Sequence, residues 1–355
     1  MKTSLAARAP VIRPAGLRPG WVAGGAACLL VAALAGILIG PVDLGSGAVI
    51  GELADRLPLV DVASGLSERE SAILWQIRLP RVVLGGLVGA MLASAGAAYQ
   101  GVFRNPLADP YLLGAAAGAG LGATMAIVYG PHGTGWPVDP VPLTAFAGAL
   151  TGVGATYVLG RSAGRTRTTA TLILAGVAVA SFLTAVQTYV QQESTDTINE
   201  VYTWLLGRLA TTGWAEVGLV LPYVAVSGAA IVLHRRLLDV LAVGDEEAES
   251  LGVRVGRVRL LVVLAASLGT AAAVAVSGLI AFVGIIVPHT IRLASGASYR
   301  LVVPLSLVFG ASFLILADLL ARTVRAPAEV PIGVITAFFG APFFLLVLRR
   351  RGRET

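Results

Sequence analysis

Cysteine and lysine are almost absent from this chain, and charge of either sign is scarce. The single cysteine, Cys28, falls inside an apolar run. No disulfide framework or cysteine-built metal site can therefore form within the chain, and packing is its ordinary role. Lys2 is the only lysine, and every other cationic side chain is arginine or histidine. Only 13% of the 355 residues are charged while 56% are hydrophobic, and the mean hydropathy is +0.82. Most of the chain is therefore solvated by lipid.

Other absences narrow the function. There is no GxxxxGK[ST] sequence, so the chain has no P-loop to cradle nucleotide phosphates. Asp318 is the one carboxylate well inside an apolar run. A proton- or sodium-driven secondary transporter would call for buried carboxylates near mid-membrane, and their scarcity argues against that class. The spacing of Asp318 and Arg322 predicts an i,i+4 ion pair. An intramembrane enzyme would need a convergent nucleophile and base or a metal set, and none is visible. His132, His234 and His289 lie in separate segments, which gives no metal site, and His289 after Pro288 reads as a packed or hydrogen-bonded residue. The net charge of +6 is scattered through short loops, so it reports membrane topology rather than nucleic-acid binding.

What is present is an all-α pattern, a polytopic bundle of about ten membrane spans at roughly 20 apolar residues each. A basic cytosolic tail (residues 1–20) leads into one transmembrane domain (21–348), and a second basic cytosolic tail (349–355) ends the chain. The expected spans run about 21–39, 72–99, 111–129, 141–159, 170–190, 217–233, 260–277, 279–293, 301–321 and 332–348. The acidic segment from Pro41 to Ser71 lies outside, and an even span count returns the basic tail to the side of the N-terminus. Span three is rich in Gly and Ala, which lets helices approach closely. Spans seven and eight read as a tight hairpin at Gly278, and WLLGRL around Trp204 as a short interfacial helix.

The long polar segment from His234 to Arg259 has internal order. Leu237, Leu238, Leu241 and Val243 form an apolar run that Gly244 breaks. Asp245 is placed to cap a new helix whose first turn holds Glu246 and Glu247, with Glu249 beyond. Leu251 closes that helix and Gly252 is placed as its left-handed stop. The segment reads as two short helices joined at Gly244, a compact knob whose carboxylates can meet basic groups on a partner, or otherwise as a solvated loop. Elsewhere, Asn105 before Pro106 and Asp109 before Pro110 are turn chemistry.

Five stretches carry a resemblance: RLPR (Arg78 to Arg81), GAAYQGVFRNPLADPYLLG (Gly96 to Gly114), GDEEAESLGV (Gly244 to Val253), GLIAFVGIIVPHTIRL (Gly278 to Leu293) and EVPIGVITAFFGAPFFLLVLRR (Glu329 to Arg350). In order and in spacing, from about Trp75 to Arg351, the chain resembles the FecCD-type permeases of binding-protein-dependent ABC importers. Those proteins carry ferric siderophores, haem or vitamin B12. The resemblance implies the fold of type II importers like the vitamin B12 permease, residence in the plasma membrane, and two permease chains side by side, identical or paralogous. It also implies a cytosolic ABC ATPase dimer that holds ATP and Mg, so this chain binds no cofactor, and an external substrate-binding protein. Gly244, Asp245, Glu246, Glu247, Glu249, Leu251 and Gly252 then correspond to the coupling helix. Arg78, Arg81 and Arg322 correspond to arginines that meet glutamates of the binding protein, a bidentate task suited to guanidinium, although snorkelling to headgroups would also explain them. Thr168 and Thr169 stand where the related B12 permease has an inner gate, and a helix N-cap explains them as well. A ferric siderophore is the cargo expected from the family.

Overall fold

The computed structural model describes residues 17–56, 65–130, 139–162, 169–209 and 213–351, and all regular structure within them is helical. In chain order the helices are α1 (Pro19–Leu38), α2 (Ser46–Asp55), α3 (Glu68–Ile73), α4 (Leu79–Val102), α5 (Ala115–Tyr129), α6 (Pro140–Ser162) and α7 (Thr169–Glu193). There follow α8 (Ile198–Leu205), α9 (Trp214–Val243), α10 (Asp245–Ser250), α11 (Val255–Ser277), α12 (Val283–Ser295), α13 (Tyr299–Thr323) and α14 (Ile332–Arg351). Every expected span corresponds to a helix. Seven of them are long and apolar enough to cross a membrane, and the three shorter apolar ones are α5, α12 and α14.

Helix α4 is the central post, buried along most of its length, with α9, α11, α12 and α13 packed around it. Small residues set these distances. Gly89 of α4 faces the backbone of Gly310 on α13, and Gly118 of α5 faces that of Gly148 on α6, so a Cβ at either would strike main chain.

The second span starts earlier than its apolar run. Ser67 and Glu70 form a capping box, with Ser67 N–H donating to Glu70 Oε2 at 2.8 Å and Glu70 N–H to Ser67 Oγ at 3.4 Å. The helix then runs without a break from Glu68 to Val102. It takes a π turn at Leu74–Arg78, just ahead of Pro80, which has no N–H for the carbonyl one turn back and whose ring would crowd it.

Three expectations are corrected. The run from His234 to Val243 is not a separate short helix. It is the last part of α9, because nothing in it breaks a helix and Leu238 and Leu241 stay on the buried face. At 30 residues, α9 is about 45 Å long, well over the bilayer core of about 30 Å. Spans seven and eight are also not a tight hairpin, since Gly278 to Phe282 carries no helix and α12 begins only at Val283. The expected short helix at WLLGRL lies earlier, at Ile198–Leu205.

Candidate functional site

That non-helical stretch enters the bundle. At its start Arg208 N–H donates to Ser277 O at 2.9 Å, and Leu209 packs against Gly85 near the α3 end of α4. At its finish Gly284 lies against Gly96 and Leu92 of the same helix. Gly96 stands eleven residues after Gly85, about 16 Å along α4. Bare backbone at membrane depth needs partners or a cavity. Tyr111 is one partner, its hydroxyl donating to Ile280 O at 3.1 Å and accepting from Ile280 N–H at 3.2 Å. Phe282 adopts φ +70°, strained for a bulky residue, with its ring against Gly340 of α14.

The cavity is an open groove walled by Leu205 and Leu206 at the end of α8, Leu279 and Ala281 of the extended stretch, and Val334 and Phe338 of α14. Backbone bonds hold its walls together, with Ile332 N–H donating to Gly207 O at 3.2 Å and Gly333 N–H to Leu206 O at 3.0 Å. The lining is apolar, without a charged side chain. Sequence reasoning missed this groove, because glycines and leucines carry no polar signature; the GLIAF run, too short and glycine-started for a span, was the one available hint.

At the α8 end of the bundle the three singled-out arginines are buried, at 3% exposure for Arg78, 9% for Arg81 and 2% for Arg322. Arg78 donates to Ile37 O at 3.0 Å and to Val42 O. Arg81 grips Asp318 through Nε and Nη2, the closest contact being 2.8 Å, and reaches Glu329 at 2.7 Å. Arg322 reaches Gly36 O and makes the expected i,i+4 pair with Asp318 at 3.5 Å. Asp318 thus meets two arginines, and Arg81 is the nearer. Neither free forks nor headgroup snorkels describe these side chains. Glu329, 40% exposed, is the member facing outward, and the Arg81 hydrogen bonds hold its carboxyl below the usual range. A cavity opens beside it, lined by Arg81, Arg208, Asp318 and Glu329.

At the other end is α10. Gly244 takes φ +154° and is itself the N-cap, so Asp245 is the first helical residue and not the cap. Its carboxylate is drawn instead to Arg259 at 3.0 Å and Arg104 at 3.4 Å, which clamps the knob to α11 and to the turn after α4. Glu246, Glu247 and Glu249 are all exposed. Leu251 is 69% exposed, and Gly252 stops the helix at φ +79° as expected. Asn105 Oδ1 accepts from Leu107 N–H at 3.0 Å and Asp109 Oδ1 from Tyr111 N–H at 2.8 Å, the expected turn chemistry. Burial pushes the Asp109 carboxyl up to about 6. Thr169 is the first residue of α7, whereas Thr168 and His132 lie outside the described residues. His289 packs edge-on against Phe343, ring centroids 5.6 Å apart.

The model of the FecCD transport family matches residues 28–350. A cobalamin import system permease protein of Halobacterium salinarum is 44% identical over 287 residues, 81% of this chain and 76% of that one. A Fe(3+)-citrate import system permease protein of Bacillus subtilis is 37% identical over 314 residues, 88% of this chain and 91% of the other. A solved structure described as an inward-facing, metal-chelate type ABC transporter superposes with a TM-score of 0.80 at 26% identity, covering 94% of this chain and 100% of its own.

Proposed function

The chain belongs to the FecCD transport family, as a multi-pass permease subunit of plasma-membrane ABC importers, and from that premise we propose that its cargo is a ferric siderophore. The apolar groove at membrane depth carries this reading. A bare metal ion would need oxygen, nitrogen or sulfur ligands along its way, and the groove lining supplies none from side chains. A chelate brings its own ligands and needs only a smooth wall. The groove lies open on one side, and a second permease chain, identical or paralogous, closes it and completes the path.

The α10 end faces the cytosol, with both termini on that side. Glu247, Glu249 and Leu251 project from the knob and seat in the partner ATPase, while Asp245 is spent on holding it in place. Closure of the ATPase on ATP and Mg pushes the knob and tilts α9 and α11. Thr169, with which α7 begins, belongs to the inner gate, together with Thr168 before it in sequence. The α8 end faces the external binding protein. There Arg81 is the docking group, supported by Arg78 and Arg322, and an incoming carboxylate enters the cavity beside it in exchange for Glu329.

The 44% identity to a cobalamin importer favours vitamin B12 as the second reading, since its corrin also encloses its metal. The test is uptake in cells with and without this chain, using labelled iron on a panel of siderophores, labelled haem and labelled B12. Loss of one iron chelate alone is the expected result. Loss of B12 uptake instead would overturn the cargo and keep the mechanism.

A further inference from the structure

Pro288 lies inside α12, so the carbonyl of Gly284, one turn earlier, has no intrahelical N–H to accept from. A side chain from another helix fills that vacancy. Gln100 of α4, fully buried, donates from Nε2 to Gly284 O at 3.0 Å. Its other end accepts from Arg292 Nη2 at 2.9 Å, so one amide joins both ends of α12 to the central post. The chain of contacts continues towards the knob. Arg292 lies over the Tyr299 ring, 5.4 Å from its centroid. Asp239 of α9 accepts from Tyr299 N–H at 2.6 Å and from Ser298 Oγ at 2.8 Å. Asp239 stands five residues before Gly244, about 7.5 Å along the helix.

We infer that Gln100 is a positioning residue for transport, linking movement of α9 and its knob, through Asp239, Tyr299 and Arg292, to the start of α12 and the groove-lining stretch before it. The inference rests on the permease reading above. Its proline weakens α12 against bending, and the stretch it would pull, from Gly278 to Phe282, already carries left-handed conformations at Gly278 and Phe282. Gln100 meets neither cargo nor ATPase; it acts through α12.

Contiguity alone does not establish coupling, so the test separates bridging from mere satisfaction of a carbonyl. The complex with its ATPase and binding protein is reconstituted in proteoliposomes, and cargo moved per ATP hydrolysed is measured for four forms. These are wild type, Gln100→Glu, which keeps the acceptor for Arg292 and loses the donor, Gln100→Leu, and Gln100→Leu with Pro288→Ala, which returns an N–H to Gly284 O. The Leu forms, which lose the bond to Arg292, are expected to drop at least roughly tenfold in cargo per ATP, the scale of one hydrogen bond to a charged group, and Gln100→Glu, which loses the neutral bond to Gly284 O, roughly threefold or more. The double variant is expected to recover thermal stability without recovering that ratio. Gln100→Glu at the wild-type ratio, or a double variant restored to it, would overturn the inference; a wild-type complex without ATP-driven uptake would instead sink the permease reading on which it stands.

Discussion

At the scale of single residues, the charges divide into committed and available ones. Asp318 is nearly inaccessible and pairs with two buried guanidiniums, so Asp318→Asn leaves Arg322 without its carboxylate and Arg81 with Glu329 alone, and should cost about 3–5 kcal/mol in thermal unfolding of the solubilised chain. Glu329→Gln breaks a pair whose acid is 40% exposed and should cost about 1 kcal/mol or less. The Glu329 carboxyl is depressed in the folded chain. Its contribution is therefore present above the unfolded value of 4.5 and disappears as pH falls through the folded one, so wild type and Glu329→Gln should converge in acid. Asp109 runs the other way. Its folded value, raised to about 6 by burial, makes ionisation destabilising as pH climbs from 3.8 through that range. Asp109→Asn keeps the Oδ1 acceptor for Tyr111, and its melting temperature relative to wild type should rise between pH 5 and pH 7.5.

At the scale of elements, helix identity was legible and helix ends were not. Apolar runs separated by charge located every span, because lipid demands them. Their limits depend on features that hydropathy does not register: the Ser67 box that starts the second span four residues early, and an apolar stretch that stays extended because Tyr111 pairs its backbone. The knob was legible at Gly252 and misread at Asp245, since Arg104 and Arg259 are remote in sequence and outcompete local capping. Two changes test this element account. Gly96→Val drives a side chain into the Gly284 backbone and should destabilise by about 1–3 kcal/mol or more, read as a lowered melting temperature. Leu251→Glu alters an exposed side chain and should leave the isolated chain within about 0.5 kcal/mol of wild type, yet weaken its affinity for the ATPase at least roughly tenfold in a titration.

At the scale of the whole molecule, the fold divides labour between ends. One end gathers buried arginines under a half-exposed glutamate, the other presents an acidic knob, and a strained, non-helical stretch lies between them along an apolar groove. The family resemblance supplied the ends from local motifs. The groove emerged only from the fold, because Leu206, Leu279 and Phe338 are brought together from three separate segments. The central claim is that this groove passes a metal chelate on power supplied by a separate ATPase. It is met most directly by proteoliposomes holding the permease with its ATPase, the binding protein and labelled ferric siderophore outside, and ATP or vanadate-inhibited ATP inside. Accumulation that requires ATP, stops with vanadate and ignores a protonophore is the expected result. Accumulation that proceeds with vanadate and collapses with the protonophore would contradict the account.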